Sequence, residues 1–268
     1  MTSQNQPDWD KLAEKFDLFL PHIAPVGETL LASLTVNPGD KIIDLASGTG
    51  EPALTLAQRN PHAQIIGTDA APGMTRAAQN KLKTAHLDNL EFTCMAAEQL
   101  EFDDASFDKA ICRFGVMLFE NPLQGVKEMF RVLKPGGQFA LAVWGTAETM
   151  TTMRWAYQVF KNRLEEKDRP ALAKVTSLGE AGALEELLQQ AGFKRFKTER
   201  KQFNYQFRSF EEYWDLIEAS DIMKQQFDAL PQAERENVRD EVANFANEFQ
   251  TSNGLIIPHE YLLATGVK

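Results

Sequence analysis

Short apolar segments alternate with amphipathic segments over the middle of the chain. Five of the apolar segments have the length and composition of buried strands, and they cover residues 41–45, 64–68, 90–94, 109–113 and 138–144. Between them, apolar side chains recur at helical spacing, as at Val126, Met129, Phe130 and Leu133. This alternation is typical of a doubly wound α/β fold with a parallel sheet.

The pattern is less regular after residue 146. A helical stripe over residues 184–191 precedes a predicted strand at 193–203, and the last predicted strand covers 261–266. About fifty residues separate these two strands, which is too long for a simple hairpin loop. Within residues 205–253 apolar and charged side chains alternate at helical spacing, so we expect this segment to form a helical cap.

The most informative segment joins the first strand to a glycine turn. The strand at residues 41–45 runs directly into Gly48 and Gly50, which let the backbone come close to a ligand. The second strand ends in Asp69, about twenty residues further on, where a carboxylate can accept both hydroxyls of a ribose. Together these two signals predict a nucleoside-binding site.

The same glycine spacing also satisfies the looser dinucleotide fingerprint, as Gly48-x-Gly50-x-x-Ala53. Glu51 argues against a pyrophosphate, because it places a negative charge at a helix N-terminus where phosphates would otherwise bind. A nicotinamide-dependent oxidoreductase would also need a second half-sheet or a catalytic Tyr/Lys pair, and we find neither. A non-catalytic nucleoside-binding or scaffold protein on the same fold stays open.

An ordered set of motifs between about Asp40 and Trp144 resembles the class I S-adenosylmethionine-dependent methyltransferases. The motifs are Asp44-Leu45-Ala46-Ser47-Gly48-Thr49-Gly50, Asp69-Ala70-Ala71-Pro72-Gly73-Met74, Ala97-Glu98-Gln99-Leu100, Ser106-Phe107-Asp108 and Arg131-Val132-Leu133-Lys134-Pro135-Gly136-Gly137. Within that family the pattern is most similar to the ubiquinone/menaquinone-type small-molecule branch. The resemblance implies a Rossmann-like seven-stranded sheet of order 3-2-1-4-5-7-6 with helical cap insertions, and S-adenosyl-L-methionine as cofactor.

The resemblance also implies a domain organisation and a set of cofactor-binding residues. The core would comprise residues 37–146, 179–204 and 254–268, with an N-terminal helical lid at 1–36, a helical insertion at 147–178 and the cap at 205–253. Asp44 would orient the amino group of the cofactor, Asp69 would hold the ribose, and Phe114 would help to close the methyl-donor side. The full implied set is Asp44, Ala46, Ser47, Gly48, Thr49, Gly50, Asp69, Ala70, Met74, Ala97, Glu98, Arg113 and Phe114.

Two positions depart from the pattern of the family. Ala96 stands where an acid often begins the adenine loop, so Glu98 or the backbone near Ala97 would make that contact. After the fourth strand, Met117 and Leu118 replace the polar pair of the quinone branch. A quinone acceptor therefore does not follow from the resemblance.

Methyl transfer depends mainly on placement, and a base is needed only if the acceptor must lose a proton. His259, His22 and Arg113 are the candidate catalytic residues, and Arg113 suits an anion partner better than a base. Each also fits a structural role. His259 would be a histidine at a strand start bonded to backbone or water, His22 a solvated turn residue, and Arg113 the partner of a nearby carboxylate.

Composition limits the partners and the location. The net charge of −10, without a Lys/Arg cluster, argues against nucleic acid. We expect a cytoplasmic protein, because no segment is apolar enough to span a bilayer and residues 1–10 are polar and acidic. Cys94 and Cys112 lack clustered histidines and predict no metal site.

The predicted function is methyl transfer to a small, apolar or aromatic molecule, with the O-, N- or C-acceptor atom and the oligomeric state left undetermined.

Overall fold

The structure is a computed structural model, and it describes residues 8–268. Its centre is one twisted sheet. The strands are β1 Lys41–Leu45, β2 Gln64–Asp69, β3 Leu90–Cys94, β4 Phe107–Arg113, β5 Leu133–Trp144, β6 Arg195–Phe207, β7 Gln250–Thr251 and β8 Gly254–Val267.

The main path of the sheet follows the order β3-β2-β1-β4-β5-β8-β6. Strands β1 to β5 are parallel, whereas β8 runs antiparallel between β5 and β6. The short strand β7 pairs only with β8, which makes the last long strand the eighth rather than the seventh. The predicted Rossmann-like fold and its strand order are therefore confirmed.

Helices cover the sheet and form the additions to it. The α-helices of the described residues are α1 Trp9–Phe16, α2 Leu20–Ala32, α3 Ala53–Arg59, α4 Pro72–Ala85, α5 Pro122–Val132, α6 Thr151–Phe160, α7 Leu172–Thr176, α8 Ala183–Ala191, α9 Phe210–Ala219, α10 Lys224–Asp228 and α11 Gln232–Ala246.

The core lies between the sheet and its covering helices. Ile42, Ile43 and Ile111 are fully buried in β1 and β4, as expected for central parallel strands with helices on both faces. From the helices, Leu30 of α2 and Val126 of α5 are fully buried in the same cluster. The carboxyl ends of β1, β2 and β4 consequently meet at one edge, where ligands bind in this type of sheet.

Strands β6 and β8 are longer than the predicted 193–203 and 261–266. Phe203, Tyr205 and Phe207 alternate with polar residues, so the strand pattern of period two continues to Phe207. Trp144 at the end of β5 pairs with Tyr261, and the pairing of β6 with β8 continues beyond it to Phe207 and Leu255. We call residues 202–207 and 255–260 the β6–β8 ribbon, which projects past the end of β5.

This ribbon corrects one predicted boundary, because the helices of the cap begin only after Phe207 and not at residue 205. Strand β5 likewise begins at Leu133 instead of residue 138. Helix α6 packs on α11, and Arg163, which follows α6 in the chain, forms ion pairs with Glu234 and Glu241 of α11.

The division into lid, core and cap remains a prediction, and residues 1–7 of the predicted lid lie outside the described residues. Within residues 8–268, no helix is both long enough and apolar enough to cross a membrane.

Candidate cofactor and acceptor site

The turn after β1 is built from residues with positive φ. Ala46 has a φ of 53°, Gly48 of 55° and Gly50 of 111°. A Cβ added at Gly48 would make one ordinary van der Waals contact, with Phe16 at 3.7 Å, so the backbone there is not crowded. A Cβ at Gly50 would lie 2.9 Å from Leu54. The predicted reason for a glycine, close approach to a ligand, thus fits Gly48, while Gly50 is required by its conformation and packing.

Asp44 is a fully buried carboxylate at the end of β1. Neither of its oxygens makes a hydrogen bond of normal geometry with residues 8–268, and the backbone N–H of Ala53 has only a small effect on it. Burial raises its pKa to about 8, although the positive charge of Arg113 acts in the opposite direction. Buried polar groups are normally hydrogen-bonded, so this carboxylate is suited to a cationic or hydrogen-bond-donating ligand.

Asp69 connects the glycine turn to the start of α4. One carboxylate oxygen accepts a hydrogen bond from the backbone N–H of Gly48 and the other from that of Ala71, each at 2.9 Å. Burial raises its pKa in spite of these two hydrogen bonds. Each oxygen retains a further lone pair, which leaves it able to accept a ribose hydroxyl.

The first turn of α3 is already occupied by a protein carboxylate. Glu51 accepts hydrogen bonds from the hydroxyl of Thr55 at 2.8 Å and from its backbone N–H at 3.3 Å. A pyrophosphate would need the same helix terminus. The geometry therefore agrees with the expectation that the ligand carries no phosphate at this position.

Met74 and Ala97, the predicted neighbours of the adenine, are buried at the start of α4 and after β3. Ala70 is exposed next to them. Glu98 accepts a hydrogen bond from the backbone N–H of Asn121 at 3.2 Å, which ties it to the beginning of α5. Of the turn residues, Ser47 and Thr49 are buried.

The guanidinium of Arg113 is held between α2 and the glycine turn. It donates a hydrogen bond to the carbonyl oxygen of Glu51 at 2.8 Å. A Cβ added at Gly27 of α2 would lie 3.1 Å from its Nη1, so only glycine leaves it ordinary room. Burial lowers the pKa of Arg113 and the charge of Asp44 raises it. Arg113 thus fits the role of an anion partner better than that of a base.

Phe114 begins the turn after β4 with a φ of 60°. Its ring stacks on Trp144 with centroids 3.5 Å apart. The next residue, Gly115, allows this turn to approach the glycine turn, because an added Cβ would lie 2.5 Å from the Cβ of Ala46. Sequence reasoning missed Gly115, and its contact is between two loops, so no local pattern signals it.

The structure separates the roles of the two candidate histidines. In His259, Nδ1 lies 3.1 Å from the carbonyl oxygen of Ile257, and Nε2 lies 2.8 Å from the hydroxyl of Thr152. Burial lowers its pKa to about 4. Both ring nitrogens are therefore engaged by the protein, and the ring is neutral near pH 7.

His22 lies in α2 and is not a solvated turn residue, which corrects that interpretation. Its ring is half-buried, with its centroid 4.5 Å from that of Phe207 and 5.5 Å from that of Tyr205. Burial lowers its pKa, and the nearby charge of Glu212 opposes this shift. Tyr205 lies between the two histidines, with its centroid 4.3 Å from that of His259.

Helix α1 contacts this edge of the sheet through two acids that sequence reasoning did not select. Asp10 accepts a hydrogen bond from the backbone N–H of Gly73. Asp17 accepts one from the hydroxyl of Thr49 at 2.5 Å. A spacing of seven residues places both acids on one side of a helical segment, which is the only sequence signal for them.

The fold and this site define the chain as a Rossmann-like methyltransferase. It belongs to the ubiE/COQ5 methyltransferase family, whose model matches residues 27–205. A demethylmenaquinone methyltransferase of Chlorobaculum tepidum is 31% identical over 208 residues, covering 70% of this chain and 83% of that protein. Another, of Deinococcus radiodurans, is 40% identical over 101 residues, covering 38% of this chain but only 42% of its own length.

A solved structure, that of the YcgJ protein from Bacillus subtilis, shares the fold. It has a TM-score of 0.64 at 19% identity and covers 91% of this chain and 98% of that one. Membership of the family confirms the predicted class, an S-adenosylmethionine-dependent methyltransferase, and the predicted cofactor. The acceptor and the roles of single residues remain predictions.

Proposed function

We propose that this chain transfers a methyl group from S-adenosylmethionine to a small aromatic molecule of the quinol type. The observation that carries the proposal is the buried carboxylate of Asp44, whose oxygens make no hydrogen bond of normal geometry with the described part of the chain. A cationic amino group would complete its hydrogen bonding. Gly48 leaves room beside it, and Asp69 would accept the ribose hydroxyls. When bound there, the cofactor supplies an electrophilic methyl group.

The charges of the site support a cationic ligand over a dinucleotide. The charges of Asp69 and Glu51 both act on Asp44, and that of Asp10 acts on Asp69. Four acidic side chains thus lie close together at this edge against one cation, Arg113. Asp44 holds a proton near pH 7 in the ligand-free chain and would release it to pair with a bound cation. Glu51 caps the helix that would bind a pyrophosphate. A sulfonium compound with an amino group is attracted by such a field, whereas a pyrophosphate is repelled.

Stacked aromatic rings support a flat apolar acceptor. Phe114 stacks on Trp144, and Trp144 in turn lies parallel to Phe203, with centroids 6.0 Å apart and planes 16° apart. The neighbouring Met117 is buried and apolar. Aromatic rings pack favourably on other aromatic rings in offset stacks. The relatives of this chain named as demethylmenaquinone methyltransferases support the same class of acceptor.

The protein would accelerate methyl transfer mainly by positioning the acceptor and excluding water, and not through a set of proton donors. Holding the acceptor in line with the transferred methyl group removes much of the entropic barrier. His259 is engaged on both nitrogens and Arg113 is a poor base, so His22 is the histidine left to accept a proton from an acceptor hydroxyl.

The proposal is tested with the purified full-length chain, S-adenosylmethionine carrying a labelled methyl group, and 1,4-dihydroxynaphthalene kept reduced under nitrogen. We expect release of S-adenosylhomocysteine and a labelled naphthalene product, whose NMR spectrum identifies the methylated atom. Binding of S-adenosylmethionine without turnover on any quinol would favour the non-catalytic alternative. Tight binding of NADH in a fluorescence titration, with no binding of S-adenosylmethionine, would refute the proposal.

A further inference from the structure

Three polar side chains meet around the ring of Phe207 in the β6–β8 ribbon. Its centroid lies 4.5 Å from that of His22 in α2 and 5.3 Å from that of Tyr213 in α9. Tyr205, two residues before Phe207 on the same face of β6, has its centroid 6.5 Å away. The lid segment, the sheet and the cap thus each contribute one polar group to the same place.

The two tyrosine hydroxyls belong to mostly buried side chains but keep some accessible surface, because neither is among the fully buried polar atoms that lack a partner. Tyr205 is 7% exposed and Tyr213 is 5% exposed. Neither hydroxyl makes a hydrogen bond with the described residues, and the same holds for the His22 imidazole. Burial raises the pKa of both tyrosines, so both hydroxyls keep their protons near pH 7 and can donate hydrogen bonds.

A cluster that only filled space would be served as well by phenylalanine, whereas hydroxyls that keep accessible surface can bind a ligand. The chain has phenylalanine at the neighbouring positions Phe203 and Phe207. The polar atoms at Tyr205 and Tyr213 therefore call for a function beyond filling space.

A series of aromatic ring contacts connects these polar groups with the methyl-donor side of the site. The ring of Phe114, on the methyl-donor side, lies 6.3 Å from that of Phe203, and Phe203 lies 5.7 Å from Tyr205. Tyr205 is thus two ring contacts away from Phe114, and His22 and Tyr213 lie further along the same series of rings.

We propose that Tyr205, Tyr213 and His22 bind an oxygen substituent of the methyl acceptor, at the end of its ring that lies away from the cofactor. This rests on the proposed methyl transfer to an aromatic molecule, and it names the residues that recognise that molecule. The tyrosine hydroxyls donate hydrogen bonds to the oxygen, and the neutral imidazole of His22 accepts one from it when it carries a proton. The ring itself lies along Phe203.

The test compares two probes that differ in one hydroxyl group, 1-naphthol and naphthalene. Their binding to the full chain saturated with S-adenosylhomocysteine is measured by quenching of tryptophan fluorescence. We expect the unmodified chain to bind 1-naphthol about tenfold more tightly, the effect of about one hydrogen bond. Tyr205→Phe and Tyr213→Phe should each bring the ratio of the two dissociation constants towards one.

Tyr157→Phe is the matched control, because Tyr157 lies in α6 with no contact to the rings of this group, and it should keep the ratio of the unmodified chain. Thermal unfolding checks that each variant is folded. If a tyrosine variant does not fold, His22→Gln makes the same comparison at a half-buried position.

An unchanged ratio in the folded variants would overturn the proposal, as would equal binding of the two probes by the unmodified chain. The result is independent of turnover. If the chain shows the expected ratios but never releases S-adenosylhomocysteine, the binding site is supported and the proposed methyl transfer is refuted.

Discussion

Asp10 and Gly73 join the first helix to the edge of the sheet where the cofactor is expected. The carboxylate of Asp10 accepts a hydrogen bond from the backbone N–H of Gly73 in the first turn of α4. A Cβ added at Gly73 would lie 2.6 Å from the carbonyl oxygen of Asp10, so the two helices meet where one of them has no side chain. The N-cap residue of α4, Ala71, cannot cap with its side chain, and Asp10 does so from another helix.

This contact predicts that substitutions at either residue loosen α1. Asp10→Ala removes the cap and should destabilise the fold by about 1 kcal/mol, the usual cost of losing a helix cap. Gly73→Ala should displace α1 and increase both the rate of cofactor dissociation and the cleavage of α1 by trypsin. Stopped-flow fluorescence and limited proteolysis measure these two effects.

Glu14→Ala is the control, since Glu14 lies in the same helix with an exposed side chain. If Gly73→Ala released the cofactor no faster than Glu14→Ala, α1 would not hold the cofactor in place.

Asp69→Asn should weaken the binding of S-adenosylmethionine. Hydrogen bonds to a charged group contribute about 1.5–3 kcal/mol, which corresponds to roughly a tenfold to hundredfold increase in the dissociation constant. The carboxamide can still accept the hydrogen bond from one of the backbone N–H groups of Gly48 and Ala71, so we expect a smaller effect on folding than on binding. Calorimetric titration gives the dissociation constant, and Asp88→Asn, at an exposed position, is the matched control. Equal affinities for the two variants would contradict the role of Asp69.

The parts of the site that sequence reasoning found are carried by consecutive residues. Asp44, Gly48 and Asp69 lie at or just beyond the end of a strand whose apolar run is visible in the sequence, and a parallel sheet brings such strand ends together. The α/β fold class was predictable from the same apolar runs, whereas the strand order came from the resemblance to the methyltransferase family.

The contacts that were missed join residues far apart in the chain. The full length of the β6–β8 ribbon depends on pairing across the cap, and Phe207 pairs with Leu255 on its far side. The approach of Gly115 to Ala46 likewise depends on how two loops pack. Local propensity carries no signal for such contacts, since tertiary packing decides them.

The pKa of Asp44 predicts a pH-dependent stability of the cofactor-free chain. Burial raises this pKa from 3.8 to about 8. Between these two pH values the folded chain holds a proton that the unfolded chain has released, so the contribution of this group to stability is lost as the pH rises through about 8. Asp44→Asn resembles the protonated form at every pH. We therefore expect the melting temperature of Asp44→Asn, relative to that of the unmodified chain, to increase between pH 5 and pH 8.5.

Thermal unfolding at several pH values measures this difference, with Asp88→Asn as the exposed control. A difference that does not change over this pH range would show that Asp44 is ionised throughout it, and that the buried carboxylate has a partner in solution.

His259 is predicted to stabilise the fold and not to act as the base. Its pKa is lowered by burial from 6.5 to about 4, so the unfolded chain binds the proton between these pH values and the folded chain does not. The stability that comes from its neutral form is therefore present above pH 6.5 and is lost as the pH falls towards 4. His259→Gln should lower stability by about 1–3 kcal/mol near pH 7, because Thr152 or Ile257 loses a buried hydrogen-bond partner.

The pH dependence of kcat separates this structural role from a catalytic one. His259→Gln should keep the shape of the profile of the unmodified chain in a methyl-transfer assay at a temperature where both are folded. His22→Gln should remove its acidic limb, since of the two candidate histidines it is His22 whose ring nitrogens make no hydrogen bond with the described residues. The reverse result, an acidic limb lost only in His259→Gln, would make His259 the proton acceptor and require its bonds to Thr152 and Ile257 to break during the reaction.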